Sequence, residues 1–219
     1  MAAPDRELHP QTLRPQRHRA VPGLLTAPTD RHWFDRSALD VARDLLGAVL
    51  VHDAQDGRVA VRLVETEAYL GPEDLAAHSS RGRTARNEPM FGPPGHLYVY
   101  RIYGIHDCVN VVCGPGGKPE AVLLRAGEVI EGEAVARARR GPRAESRRLA
   151  SGPGNLGRAL GIDRGLSGTD LLSGAVHIRA GSTPRRITTR PRVGVDYAGA
   201  WAKRPYRFLV TDDPFVSRG

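Results

Sequence analysis

The chain has 219 residues, 40% of them apolar and 26% charged, so it can bury a core and is not disordered throughout. Its 25 Gly and 17 Pro call for many turns and argue against a helical bundle, and no apolar run approaches the ~20 residues that span a bilayer. The formal net charge is +8, and residues 137 to 192 alone hold 13 Arg, no Lys and three acids, which fits either nucleic-acid binding or a solvated basic face.

In chain order, residues 1–29 contain five Pro and four Arg without a hydrophobic period and read as a disordered arm ahead of one domain spanning 30–219. A helix is predicted from about Ser37, with Asp35 or Ser37 as its cap and Leu39, Ala42, Leu45, Leu46 and Val49 as its core stripe. Strands follow over 48–52, 59–70, 96–103, 108–113 and 120–126, divided by Gly, Pro and Asp turns. A second helix is expected over 130–140, a basic mobile loop over 141–148 and short helices over 153–160 and 169–172. Further strands are expected over 176–180, 192–196 and 206–211. Strands gathered early and helices interspersed later give an α+β class, a single mixed domain around a curled, largely antiparallel sheet.

Cys108 and Cys113 are five residues apart on one expected strand and therefore face opposite ways, which suits two buried reduced thiols better than a disulfide or a shared metal. His106 can face with Cys108, but two ligands do not make a metal site, and none is expected. With no apolar leader at the N-terminus, the expectation is a cytoplasmic protein.

The strand over 59–70 carries the chemistry. Its period of two places Val59, Val61, Leu63, Glu65, Glu67 and Tyr69 on one face, with two carboxylates ~6.7 Å apart, near enough for one to raise the pKa of the other. That pattern fits a general base as well as it fits a strand end emerging into solvent. His78 returns after the turn at Gly71-Pro72, where a lone histidine is more often a surface residue. Farther on, Tyr98, Tyr100 and Tyr103 fall within six residues, Tyr98 and Tyr100 on one strand face and Arg101 and Tyr103 on the other, with Gly104 starting a tight turn. Tyrosine at such a tip can enter a base stack, although core packing would serve Tyr98 equally.

Several blocks together resemble the 3-methyladenine (alkyladenine) DNA glycosylase family: Glu65-Thr66-Glu67-Ala68-Tyr69-Leu70-Gly71-Pro72-Glu73-Asp74, Ala77-His78-Ser79, Leu97-Tyr98-Val99-Tyr100, Ile102-Tyr103-Gly104, Val122-Leu123-Leu124-Arg125-Ala126, Ser151-Gly152-Pro153 and Pro191-Arg192-Val193-Gly194-Val195. The likeness covers about residues 32 to 216. It implies a mixed α/β domain with a protruding hairpin, acting on double-stranded DNA in base excision repair as a cofactor-free, metal-free monomer, in the nucleoid of a bacterium. It further implies that Glu67 deprotonates the water attacking C1′ of a flipped nucleotide, with Arg125 beside it. Tyr69, His78 and Tyr100 would hold the extruded base, Asn110 would crowd a 2-amino group, and Tyr103 would fill the vacated stack. Apart from the resemblance, the Arg-rich segment offers Arg147 and Arg148 to the DNA backbone, and the N–H groups at the helix start, at Gly154, offer a phosphate site. The expected substrates are 3-methyladenine, 7-methylguanine and hypoxanthine. Two positions depart from the pattern: Asn155 stands where relatives commonly carry Lys, and His106-Asp107 where an aromatic is usual. A non-catalytic nucleic-acid-binding module is the rival reading, and the presence of Glu67, Tyr69 and His78 together argues against it. A carbohydrate hydrolase built on Glu65 and Glu67 would leave the basic segment and the tyrosine hairpin without a purpose.

Overall fold

The computed structural model describes residues 27–218, so nearly all of the expected arm lies outside the described residues. Helix α1, Ala38–Asp44, begins where the Ser37 hydroxyl accepts from the Leu39 N–H, and the buried Glu120 carboxylate accepts from Ala38 N–H at 2.7 Å. Asp35, the other candidate cap, instead accepts from Gly116 N–H. Ala38, Val41, Ala42, Leu45 and Leu46 bury the helix, whereas Leu39 is only partly covered and Val49 already belongs to the first strand.

Nine antiparallel strands form one sheet: β1 Val49–Ala54, β2 Gly57–Tyr69, β3 Leu97–Ile102, β4 His106–Cys113, β5 Glu120–Glu131, β6 Ala150–Ser151, β7 Val176–Arg179, β8 Ile187–Arg190 and β9 Arg207–Val210. The main order is β3-β4-β5-β2-β1-β7, with β6 on β5, β9 on β2 and β8 on β9. Among the described residues the two other α-helices are α2, Glu133–Arg140, and α3, Pro153–Leu160. Strand β5 runs five residues beyond its expected end because Val129 and Glu131 pair with Val61 and Ala60, and this delays α2.

Alternation divides the sheet into two functions. Val109, Val111, Val122 and Leu124 face the main core with α1 and α3, while Tyr98, Tyr100, Cys108, Asn110, Ala121 and Leu123 face the other way and line a cleft. Cross-strand pairs Tyr98 with Asn110, Tyr100 with Cys108 and Asn110 with Leu123 keep this face in register.

Four expectations are corrected. Residues 169–172 are not helical, because Leu97 N–H bonds Thr169 C=O, Leu171 N–H bonds Gly95 C=O, and Asp170 bridges to His96. The stretch 192–196 is not a strand: Val193 N–H goes to a carboxylate, and the strand lies earlier, at β8. The segment 141–148 is tied to α2 by Arg137, which donates to Ala144 C=O and to Ser146 Oγ. Tyr103 is not opposed to Tyr98 and Tyr100. It sits in the turn with φ +53°, followed by Gly104 at φ +71°, and the paired left-handed residues swing its ring to the cleft.

Candidate active site

The cleft has a volume of about 470 Å³, within the range of small-ligand sites. Its floor and walls come from β2, β3, β4 and β5, from His78 and Arg86, from the first turn of α3 and from the loop 193–197. His78 opens a short 3-10 turn, and its Nδ1 lies 2.8 Å from the Tyr98 hydroxyl. Burial, aided by Arg86 and Arg81, pulls the His78 pKa down to about 4, so the ring is neutral near pH 7. Tyr100 packs edge-on against it with centroids 4.5 Å apart.

Glu67 lies directly behind the wall. It is 0% exposed, and the residues around it, Tyr69, Arg125 and Val193, all line the cleft. Its Oε2 accepts the Tyr69 hydroxyl at 2.8 Å, its Oε1 accepts the Val193 N–H at 2.9 Å, and Arg125 Nη1 is 3.3 Å from Oε1. Burial raises its pKa against the pull of Arg125, making it a stronger base than an exposed carboxylate. The solvent-exposed reading of this strand end is therefore wrong.

Glu65 differs by its partners. Its Oε1 accepts from Arg125 Nε at 2.8 Å and lies 2.8 Å from Arg207 Nε, an ion pair outside hydrogen-bond geometry. Its Oε2 accepts from Ser217 N–H at 2.7 Å. Paired irregularities in the β2–β5 ladder make this arrangement possible. Between Leu63 and Glu65 the extra residue is Val64, and between Glu65 and Thr66 the extra residue, on β5, is Arg125. Freed from the regular ladder, Arg125 bridges both carboxylates.

Arg192, Asp74, Val193 and Arg86 were not singled out for roles in the sequence. The Arg192–Asp74 pair is fully buried, with Nη2 and Oδ1 2.8 Å apart, and the guanidinium stacks 4.7 Å from the centre of the Tyr69 ring. Arg192 and Val193 fall in a family-like block, but a backbone N–H donor has no sequence signature, and Arg86 lies in a polar loop without any period. Asn110 donates to Tyr98 C=O at 3.0 Å and Cys108 C=O at 3.2 Å, which fixes its amide. Gly154 lines the cleft, and a Cβ there would meet His106 at 2.6 Å, so the histidine at the unusual position is packed beneath α3. Asn155 spends its amide on Ser151 C=O. Arg147 and Arg148 lie in an exposed turn and do not line the cleft. They border a separate hollow with Arg218.

A family model described as methylpurine-DNA glycosylase (MPG) matches residues 32–214. The chain belongs to the methylpurine-DNA glycosylase family. A protein of Methanocella arvoryzae named "Putative 3-methyladenine DNA glycosylase" is 50% identical over 86% of this chain and 94% of its own length. One with the same name from Streptomyces avermitilis is 49% identical over 87% of this chain and 91% of its own length. A third, from Myxococcus xanthus, is 46% identical over 85% and 92%. As a methylpurine-DNA glycosylase the protein is a hydrolase of N-glycosyl bonds whose substrate is DNA, acting on alkylation damage in base excision repair. Among the described residues no helix is long and apolar enough to cross a membrane, and no group of three or more His, Cys, Asp or Glu is placed to hold a metal.

Proposed function

We propose that this methylpurine-DNA glycosylase is monofunctional and monomeric, removing 3-methyladenine, 7-methylguanine and hypoxanthine from double-stranded DNA by turning the nucleotide into the cleft and directing water at C1′, without metal or organic cofactor. The observation that carries the reading is the buried Glu67 carboxylate hydrogen-bonded to Tyr69, a residue of the cleft wall. One group thus ties the base-holding surface to the base catalyst.

Extruding a nucleotide costs a few kcal/mol and is easiest where damage weakens pairing. Tyr103, at the exposed hairpin tip, fills the space left behind. Tyr69 and Tyr100 hold the extruded base, and their π faces favour a cationic alkylated purine. Hypoxanthine is neutral and needs hydrogen bonds. We assign the neutral imidazole its proton on Nε2, the tautomer in which Nδ1, 2.8 Å from the Tyr98 hydroxyl, accepts from it and Nε2 is ready to donate to the purine oxygen. Asn110, held by two carbonyls, crowds the guanine 2-amino group. As the glycosidic bond breaks, its electrons leave with the base, the water oxygen bonds to C1′ and its proton passes to Glu67. Each carboxylate oxygen has two lone pairs, so Oε2 can accept from water while keeping Tyr69. The Glu67 charge also stabilises the oxocarbenium-like sugar, and Arg125 keeps the carboxylate ionised and aimed. Gly154 at the start of α3, with Arg147 and Arg148, meets backbone phosphates.

The test is incubation with a duplex containing one hypoxanthine, followed by a sizing gel with and without alkali. The expected result is an intact strand that breaks at the lesion only after alkali. No alkali-dependent break would remove hypoxanthine from the substrates, and a break without alkali would sink the monofunctional character. The two lysines, Lys118 and Lys203, do not line the cleft, and Lys118 is paired with Glu73 at 3.2 Å and Glu120 at 3.3 Å.

A further inference from the structure

Among the described residues, the large hydrophobic side chains left exposed are Leu75, Tyr103, Ile105, Ile130 and Tyr197. Tyr103 and Ile105 form the hairpin tip. Tyr197 is 63% exposed, lines the cleft, and donates its hydroxyl to the carbonyl of Ala76, whose chain neighbour Leu75 is 56% exposed. Ala198, Val195 and Ala76 pack together, with Tyr69 against them, so the exposed Tyr197 is carried on a loop anchored on both sides by buried residues. The same loop begins with Val193, whose N–H is on Glu67, and Arg192, which is locked to Asp74. Asp74 in turn accepts from Ala76 N–H. The ring is tethered at the cleft mouth by its bond to Ala76, on the loop whose first residues hold the carboxylate and pair with Asp74. Apolar surface retained on a rigid rim marks a binding surface rather than a packing fault.

We propose that Tyr197, with Leu75, is a second DNA-contacting shelf that packs against the sugar face of the damaged strand beside the pocket and forms only when the nucleotide is flipped. The occupant follows from continuity, since the shelf borders the cleft that receives the base, and from chemistry: an anchored phenol ring offers a flat apolar face of the kind that deoxyribose C–H groups cover. This rests on the proposed flipping reaction. Tyr197 acts on substrate position and selectivity, not on the proton transfer.

The test is fluorescence anisotropy with the full chain on two duplexes, one carrying a tetrahydrofuran abasic analogue and one undamaged, so that binding is read without excision. Tyr197→Ala should weaken binding to the abasic duplex about tenfold, within the range of one aromatic contact with a nucleotide, and lower the abasic-to-undamaged ratio by the same factor. Tyr197→Phe should stay within about twofold, because the ring and not the hydroxyl makes the contact. Leu75→Ser, on the same shelf but without the bond to Ala76, should lower the ratio in the same direction. In single-turnover excision of hypoxanthine the Tyr197→Ala loss should fall on the half-saturating concentration rather than on the saturated rate. An unchanged ratio in Tyr197→Ala overturns the shelf. An equal loss in Phe and Ala also overturns it and assigns Tyr197 to tethering the Ala76 loop. If the wild-type chain released no base, the reaction would fail, while the binding ratio would still decide for or against the shelf.

Discussion

The floor of the cleft and the tip of the hairpin are built on opposite principles. At the floor, Arg125 lines the cleft and forms, with Glu65, Glu67 and Arg207 behind the lining, a buried cluster with two negative and two positive charges, and every carboxylate oxygen has a partner before any substrate arrives. At the tip, Tyr103 is 84% exposed and its backbone is held in the left-handed region. The floor is already organised, which lets it stabilise developing charge without rearranging. On the proposed flipping reaction, the exposed face of the tip is covered only when DNA is present. The proposed chemistry thus falls on a buried, fully paired region and the proposed recognition on an exposed one.

The comparison can be broken most severely at the floor. Glu67→Gln should lower excision by at least ~10²-fold while binding to damaged DNA persists, the size of effect expected for a general base. Glu65→Gln should instead lower the melting temperature, because it weakens the compensation of Arg125 and Arg207. If Glu65→Gln abolished excision in a folded protein and Glu67→Gln did not, the roles would be reversed. Next in size, Asp74→Ala leaves Arg192 as a buried unpaired charge and should cost about 3–5 kcal/mol in denaturant unfolding. At the tip, Tyr103→Ala should reduce affinity for a lesion duplex about tenfold, with an unchanged melting temperature. A change in melting temperature there would mean that the tip, too, is structural.

On the wall between these regions, Asn110→Ser should raise release of 7-methylguanine relative to hypoxanthine by a few-fold, the low end of a ~1–3 kcal/mol penalty for an unpaired donor. If both rates fall together and their ratio stays put, the two carbonyl bonds of Asn110 are its whole purpose. The smallest effect concerns pH. His78 titrates at about 4 in the folded chain against its ordinary 6.5, so between these values the unfolded chain binds a proton that the folded chain refuses. Its contribution is full above pH 6.5 and is lost as pH falls toward 4. Glu67, with its pKa raised above 4.5, acts with the opposite sign: stability falls as pH rises through its window. His78→Asn should therefore flatten the drop in urea midpoint between pH 7 and pH 4.5. An undiminished drop would place the acid sensitivity on other groups.

What could be read from the sequence divides along the same line. Period-two alternation correctly set Tyr98 and Tyr100 on one strand face and turned Cys108 away from Cys113, and the Gly152-Pro153 start of α3 was legible because proline suits the first helical turn. Alternation failed where the backbone leaves the ladder. The turn at Tyr103 moved that ring to the cleft, and the irregularity at Arg125 aimed a guanidinium at two carboxylates, which no spacing rule expresses. Long-range partners such as Asp74 with Arg192 stand 118 residues apart and carry no local signal.

The Val193 amide has a consequence for how this enzyme can vary. The donor that holds Glu67 Oε1 belongs to the main chain, so a search by side-chain replacement passes over it: alanine, isoleucine and threonine all present the same N–H. Proline alone deletes it. A component of the proposed catalytic apparatus is in this way shielded from nearly all single substitutions, and drift at position 193 can reshape the cleft wall while the hold on the carboxylate persists.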